Sequence, residues 1–458
     1  MQYHTLSLLQ AGHTVTAIGY TGEALIDELQ QQSTKKLRVI RFSVPQTPKL
    51  IEKVKIIYLI WRIILLTIYF CHALFVSVPA SRRNVDSSNR TTTTAPKVDC
   101  LLLQNPPALP TLAVAALYAK IYKTGLVIDW HNLGYSMFGS LKLQKVVKYY
   151  EKMLAQHAHQ HLCVTHAMKS YLEQDFQLSP HTIRTFYDCP PSLFQPLSIT
   201  EQHGILSKLH DELNQAVPKS WLDSIGDPSQ QTLFTERTAN GTIQPRLGRP
   251  ALITSSTSWT PDEDFGPLLE ACRLLNDRIN HTRQCNLKVM VVVTGKGPQK
   301  EYYQEQISKL RLEHVCITTV WLEPGDYPKL IGCADVGISL HTSTSSLDLP
   351  MKILDLFGCQ VPVLARKFAC LNELVQETEN GRTFDTADQL ADQLWELLQP
   401  LGDTTSRTLL PAHGFGTLKT YSQNLQNRPR WSETWTSHAL PAIEAAAAKA
   451  VADDKKNQ

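Results

Sequence analysis

The sequence predicts an α/β chain of two domains, each built on a parallel β-sheet with helices on its faces. Short apolar runs rich in β-branched residues, such as 126–129 (L-V-I-D), 287–294 (L-K-V-M-V-V-V-T) and 334–340 (A-D-V-G-I-S-L), have the length and character of strands buried on both faces. Helical stretches alternate with them, as in βαβ units. At 458 residues the chain is long enough for two such domains and two cores.

Composition narrows the class of protein. Hydrophobic residues at 43% and charged residues at 19% are ordinary for a globular enzyme. A formal net charge of +3 does not call for a nucleic-acid partner. The ten cysteines are scattered, with no C-x-x-C pair, and read as reduced core residues of a cytosol-facing protein. Met1 opens a polar stretch without the pattern of a secretory signal.

The first domain is expected over 1–200. Residues 1–20 read as a helix and then a strand at 15–19, without the strand and Gly-rich turn that normally open a dinucleotide-binding type of domain. The domain is therefore expected to lack its first strand. Residues 54–80 are strongly apolar, with only His72 breaking 63–78, which is near the lower limit of roughly 17–25 residues for a membrane span. Lys53, Lys55 and Arg62 flank or interrupt the segment, so a membrane-dipping helix pair is expected, the alternative being a buried helix. Residues 81–97 are polar and low in complexity, and read as a disordered loop. A strand at 99–104, an N-P-P turn, a helix at 109–123 and a strand at 126–129 lead to Asp129-Trp130-His131-Asn132-Leu133-Gly134-Tyr135. A strand end is where open α/β sheets bind ligands, so His131 and Asn132 are expected at a crevice between the domains. A helix at 141–160, a strand at 161–165 and a helix from Ala167 follow.

Residues 201–250, with Pro, Gly and Ser throughout, read as an insertion and linker, and 251–426 as the second domain. That domain opens with a strand and a hydroxyl-rich loop, 251–260, and Thr260-Pro261-Asp262-Glu263 has the form of a capping box starting a helix. The strand 287–294 ends in Gly295-Lys296-Gly297, where glycine permits close approach of phosphate or base. Residues 427–458 should form a crossing helix that docks Trp431 and Trp435 on a neighbouring domain and frays after Ala445.

The most informative stretch is 340–363. A strand crosses a Ser/Thr-rich loop and enters a helix at Pro350, which places Asp348, Lys352 and Asp355 at its mouth. Lys352 and Asp355, three apart, share one helical face and offer a cation for phosphate and a carboxylate for ribose; a solvated ion pair is the other reading of such a spacing. The string P-x-K-x-x-D-x-x-G-x-x-x-P-V over 350–363 resembles the nucleotide-sugar end of GT-B glycosyltransferases.

Further strings agree: Met1-Gln2-Tyr3-His4, Q-N-P-P at 104–107, V-I-D-W-H-N-L-G-Y-S at 127–136, L-C-V-T-H-A-M at 162–168, S-S-T-S-W-T-P-D-E-D-F at 255–265, V-T-G-K-G-P at 293–298, W-L-E-P-G-D-Y-P at 321–328 and L-D-L-P-M-K-I-L-D-L-F-G-C at 347–359. Together they resemble the chitobiosyldiphosphodolichol β-mannosyltransferases, glycosyltransferase family 33 of the Asn-linked glycan pathway. The resemblance implies a GT-B fold of two Rossmann-like domains facing a crevice, acceptor on the first and donor on the second. It implies inverting transfer of mannose from GDP-mannose to GlcNAc2-diphosphate-dolichol on the cytosolic face of the endoplasmic reticulum membrane, with other mannosyltransferases of that face as partners. The family's N-terminal membrane helix, first strand and G-R-S-P-R-like turn do not precede M-Q-Y-H here.

Inversion needs one general base, and histidine suits that role at cytosolic pH. His131, with Asp129 as orienting carboxylate, is the first candidate; Asp348 is the alternative base, or else a ligand of the mannose hydroxyls. Asn132 and Tyr135 are assigned to the acceptor. No D-x-D lies between apolar strands, so neither a metal nor a cofactor is expected, and the leaving diphosphate falls to Lys352, the hydroxyls and amides of Ser255, Ser256 and Thr257, and helix N-termini. Gly295 and Lys296 complete the donor loops. Asp355 and Glu373 stand as ribose and sugar carboxylates, because Asn372-Glu373-Leu374-Val375 with Asn380-Gly381 resembles a GT-B donor turn. An α-mannosyltransferase acting on another lipid and a non-catalytic membrane-bound partner are the competing functions. Asn89, Asn240 and Asn280 begin N-glycosylation patterns, which a cytosol-facing chain leaves unmodified.

Overall fold

The computed structural model describes residues 1–22, 24–31, 36–43, 55–78, 98–222, 225–260, 263–282, 285–342, 345–402 and 416–456. The loop expected over 81–97 and the sequon at Asn89 lie outside them. Two units share the chain: Met1–Tyr187 with Ser432–Gln458, and Asp188–Trp431.

In the first unit, the described residues form two parallel sheets. Strands β1 (Val15–Tyr20) and β2 (Leu37–Phe42) pair with each other. Strands β3 (Cys100–Asn105), β4 (Gly125–Trp130), β5 (Gln160–Cys163) and β6 (Ile183–Thr185) form a second sheet in that order. Every residue of β4 and β5 is buried, which suits the apolar run Leu126-Val127-Ile128 of β4. Helices Thr111–Tyr122, Leu141–Ala155 and His166–Gln174 make the connections. The last starts where the Thr165 hydroxyl accepts the Met168 amide at 2.9 Å.

Two expectations for this unit are corrected. The apolar segment is one continuous helix, Lys55–Cys71, running on through a π-turn, His72–Ser77, and not a helix pair. Phe42 on β2 packs against it, stacked on Tyr69 with ring centroids 5.7 Å apart. The Ala-rich tail does not fray at Ala445: it forms the helix Leu440–Lys456, which lies across β3, β4 and β5. Its buried Ala442, Ala446 and Ala450 recur every four residues, so the helix sits very close to the sheet. Gly125 makes that approach possible, since a Cβ there would lie 2.7 Å from the Ala446 backbone.

The second unit is a single doubly wound sheet. After a small antiparallel hairpin, β7 (Thr235–Arg237) with β8 (Ile243–Pro245), come β9 (Ala251–Ser256), β10 (Val289–Thr294), β11 (Val315–Val320), β12 (Val336–Ser339), β13 (Val363–Arg366) and β14 (Gly381–Phe384). The last six are parallel and ordered β11-β10-β9-β12-β13-β14, so the direction of winding reverses between β9 and β12.

The boundary between the units falls at Asp188, and residues 201–250 belong to the second unit and not to a linker. Ser198 and Glu201 form a capping box that starts the helix Ile199–Lys208. The buried Ile205, Leu206, Leu209 and Leu213 pack with Trp221, Phe234 and the sheet residues Leu252 and Val292 in one core. The frequent Pro, Gly and Ser obscured this apolar spacing.

Gly125→Ala should overpack the helix–sheet contact and lower stability by about 1–3 kcal/mol, seen as a lower urea midpoint with an unchanged slope.

Candidate active site

The carboxyl ends of β9 and β12 meet at the point of reversal, where α/β sheets hold ligands. Glu263 is at the centre of this place. Its Oε2 accepts the Thr257 hydroxyl at 2.6 Å and the Ser258 amide at 2.7 Å. Its Oε1 takes an ion pair from the Lys352 ammonium and lies 3.8 Å from His341 Nδ1. Burial alone would raise the Glu263 pKa, but the nearby His341, hydrogen bonds from Lys352 and Thr257 and the charge of Lys352 hold it well below the usual carboxylate range. The sequence suggested only a capping role for Glu263. The helix in fact starts at Gly266, whose amide Asp264 Oδ1 accepts at 2.9 Å, and Glu263 turns inward. Pro261 and Asp262 lie outside the described residues.

The hydroxyls and amides assigned to the diphosphate are used within the fold. Ser255 is buried in β9. The Ser256 hydroxyl is 2.8 Å from the Tyr327 hydroxyl. The Thr257 amide donates to the Thr294 carbonyl at 2.9 Å, and its hydroxyl meets Glu263. Gly295 is required by loop packing: its φ is +134°, and a Cβ would lie 1.8 Å from the Thr257 carbonyl oxygen. Lys296 Nζ lies 3.6 Å above the ring of the exposed Trp321.

Lys352 and Asp355, both on the helix Met351–Gly358, do not act on one partner. Lys352 faces Glu263, whereas Asp355 stands by Tyr327, whose pKa its charge raises after burial. Burial pushes the Asp355 carboxyl up to about 7. Asp348 accepts the Ser345 hydroxyl at 2.9 Å, and its carbonyl lies 3.6 Å from Cys370 Sγ. Glu373, ending a 3₁₀ turn, is near the same thiol: burial, then the charges of Glu373 and Asp348, push Cys370 up to about 12. Asp348 and Glu373 thus flank Cys370 together.

In the first unit, Asp129, next to last in β4, is a buried carboxylate. Its Oδ2 is 2.9 Å from His131 Nε2 and 3.2 Å from His4 Nε2, and Trp435 Nε1 donates to His4 Nδ1 at 3.0 Å. Burial would raise the Asp129 pKa, but the charges and hydrogen bonds of His131 and His4 hold it far below the usual carboxylate range. Indole N–H only donates, so it assigns the proton of neutral His4 to Nε2, toward Asp129. The carboxylate only accepts, so His131 carries a proton on Nε2.

Asn132 Oδ1 accepts the Leu133 amide at 2.7 Å, and the Tyr135 hydroxyl is 2.7 Å from that of Tyr171. Glu151 secures the same turn, accepting the Gly134 amide at 2.9 Å and the Tyr135 amide at 3.1 Å. Glu151, Glu263, His341, His4 and Trp435 support the candidate sites, and the sequence alone points to no such role for them. Only the string Met1-Gln2-Tyr3-His4 carries a signal for His4. Among the described residues, no three His, Cys, Asp or Glu side chains converge as metal ligands.

Residues 252–400 match the model of glycosyl transferases group 1. The chitobiosyldiphosphodolichol beta-mannosyltransferase of Mus musculus is 36% identical over 97% of this chain and 86% of its own. That of Homo sapiens is 36% identical over 97% and 89%. This chain belongs to the chitobiosyldiphosphodolichol β-mannosyltransferase family. The UDP-glycosyltransferase TURAN of Arabidopsis thaliana is also similar, at 34% identity over 97% of this chain and 94% of its own. Two solved structures share the fold: Anabaena HepE with UDP and glucose, at a TM-score of 0.55 and 15% identity over 98% of this chain and 95% of that chain, and a Thermosynechococcus elongatus sucrose-phosphate synthase, at 0.52 and 14% over 99% and 91%. The fold of this β-mannosyltransferase family member is GT-B.

Removing Lys352 should leave a buried carboxylate unpaired. Lys352→Met is expected to cost about 3–5 kcal/mol in stability and to weaken GDP binding. Lys352→Met with Glu263→Gln should regain stability without regaining affinity; calorimetry with GDP would separate the two effects.

Asp355 gives a pH test. Its folded pKa, raised to about 7, means that the folded state binds the extra proton, so its contribution to stability is present at low pH and is lost as pH rises to about 7. Asp355→Asn should flatten this fall in denaturation midpoints measured between acid and neutral pH.

Proposed function

We propose that the chain transfers mannose from GDP-mannose to the 4-hydroxyl of the outer GlcNAc of GlcNAc2-diphosphate-dolichol, with inversion to a β-linkage, at the cytosolic face of the endoplasmic reticulum membrane. Family membership supports the substrates. The observation that carries the mechanism is the His131 imidazole held by Asp129, with Nε2 2.9 Å from Oδ2, because an orienting carboxylate suits a histidine that acts as general base. In the reaction, the acceptor oxygen bonds to the anomeric carbon of mannose while its proton passes to the His131 imidazole. The bond from that carbon to the GDP β-phosphate oxygen breaks, and GDP leaves with its charge met by Lys352. Asp355, Asp348 and Glu373 remain assigned to the sugar and ribose hydroxyls, Asn132 and Tyr135 to the acceptor.

His4 and Trp435 act through Asp129 as positioning residues. Membrane attachment is assigned to the helix over Ile57–Ser77, which is long and apolar enough to cross a membrane and is mostly unburied. The Arabidopsis relative's name makes UDP-sugars the competing donors.

The test is to incubate the protein with GDP-mannose or UDP-glucose and GlcNAc2-diphosphate-lipid and to determine product and anomer. A β-mannoside from GDP-mannose alone is expected; an α-linked product or preference for UDP-glucose overturns the proposal. His131→Ala should lower turnover on the order of 10²–10⁴-fold with GDP affinity retained. Trp435→Phe should cause a smaller loss and a shifted pH profile of kcat/KM. Near-normal turnover of His131→Ala would return the role of base to Asp348.

A further inference from the structure

The first unit exposes an apolar surface that the reaction does not use. Strands β3, β4 and β5 are neighbours in chain order, so right-handed crossovers put Thr111–Tyr122 and Leu141–Ala155 on one face of the sheet. Lys55–Cys71 packs beside the first of these helices, and the first beside the second. The Tyr150 hydroxyl joins the latter pair, accepting the Ala113 amide at 3.2 Å and donating to the Pro110 carbonyl at 3.3 Å.

Each helix of this layer turns an apolar stripe outward. On the first, Ile57, Ile60, Ile64, Ile68 and Val76 recur on one side and are 50–58% exposed. Leu117 and Ile121 continue the surface on the second. On the third, Leu141, Val146, Tyr149 and Met153 are 48–74% exposed. Soluble proteins rarely leave so much neighbouring apolar surface uncovered.

Charge indicates the occupant. Across the described residues of the three helices the only carboxylate is Glu151, which is buried and accepts hydrogen bonds from Asn105, Gly134 and Tyr135. Lys142 and Lys145 are exposed among the apolar side chains of the third helix, and Lys120 and Arg62 are exposed on the others. Two acids of the same unit are paired with lysines: Asp175 with Lys148 at 2.8 Å, and Asp454 with Lys123 at 2.6 Å. An apolar face studded only with cations suits the boundary between acyl chains and anionic headgroups, where lysine stems lie on apolar surface and their ammonium groups reach phosphate.

We propose that this three-helix face is a lipid interface, with Leu141–Ala155 lying in the headgroup layer of a membrane that contains anionic lipid. The proposal rests on the membrane role given to the helix Lys55–Cys71, and adds a second contact and a lipid preference to it.

The experiment is flotation of the full chain with vesicles of phosphatidylcholine, alone or mixed with phosphatidylserine. The wild type should bind the anionic vesicles more tightly, and the difference should shrink with salt. Lys142→Gln with Lys145→Gln should weaken binding to anionic vesicles about fivefold per lysine and leave neutral vesicles unaffected. Val146→Ser with Tyr149→Ser should weaken binding to both, while turnover on a short, water-soluble diphosphate acceptor stays at the wild-type level in all variants. If these variants bind like the wild type while Ile57→Ser with Ile64→Ser loses binding, the first helix acts alone and the inference is overturned with the membrane reading intact. If all bind alike, both fail. A dimer of the wild type in sedimentation that Val146→Ser with Tyr149→Ser dissolves would mean that a second copy covers the face, and would also overturn the inference.

Discussion

The second unit depends on one buried ion pair. Arg249 Nη1 and Nη2 bond Asp335 Oδ2 and Oδ1 at 2.8 and 2.7 Å, and the Leu252 amide adds a bond of 2.8 Å to Oδ2. Two charges taken out of water are costly, and the bidentate geometry with the added amide offsets that cost. The pair fixes the starts of β9 and β12, which run in register from Val336 opposite Ile253 to Ile338 opposite Ser255. At the other end of the same strands Thr257 and His341 therefore emerge beside each other. A register slip of one residue would turn the opposite faces of both strands to that place.

Both candidate sites use the same device, a buried carboxylate that holds a partly exposed functional group. Glu263 holds Lys352, and Asp129 holds His131. The side chain expected to meet the substrate is thereby kept in one geometry before the substrate arrives, so little ordering cost remains at binding. The carboxylates themselves are kept ionised by their hydrogen bonds despite burial.

Much of this was legible in the sequence. The strand runs, the alternation with helices and the strings around Asp129 and Pro350 foretold the parallel sheets and the GT-B fold, because strand periodicity and helix entry are local properties. His131 beside Asp129 was also legible, being two residues away on one strand end. What escaped was long-range: His4 and Trp435 meet Asp129 only through the fold, and Glu263 meets Lys352 across 89 residues. Local rules also misled where a residue had two uses. Glu263 has the spacing of a cap and the tail after Ala445 the composition of a frayed end, yet both are fixed by tertiary contacts.

The route of the chain has a consequence for its synthesis. The first unit is left at Tyr187 and resumed only at Ser432, and the hydrogen bond between His4 and Trp435 joins residues 431 positions apart. On the ribosome, the second unit can complete its sheet as soon as it emerges, while the first still lacks the alanine face that covers β3, β4 and β5. Until the last turns of Leu440–Lys456 are made, the nascent first unit exposes the back of its sheet, and a chain that stops before Trp435 loses both that cover and the support behind Asp129.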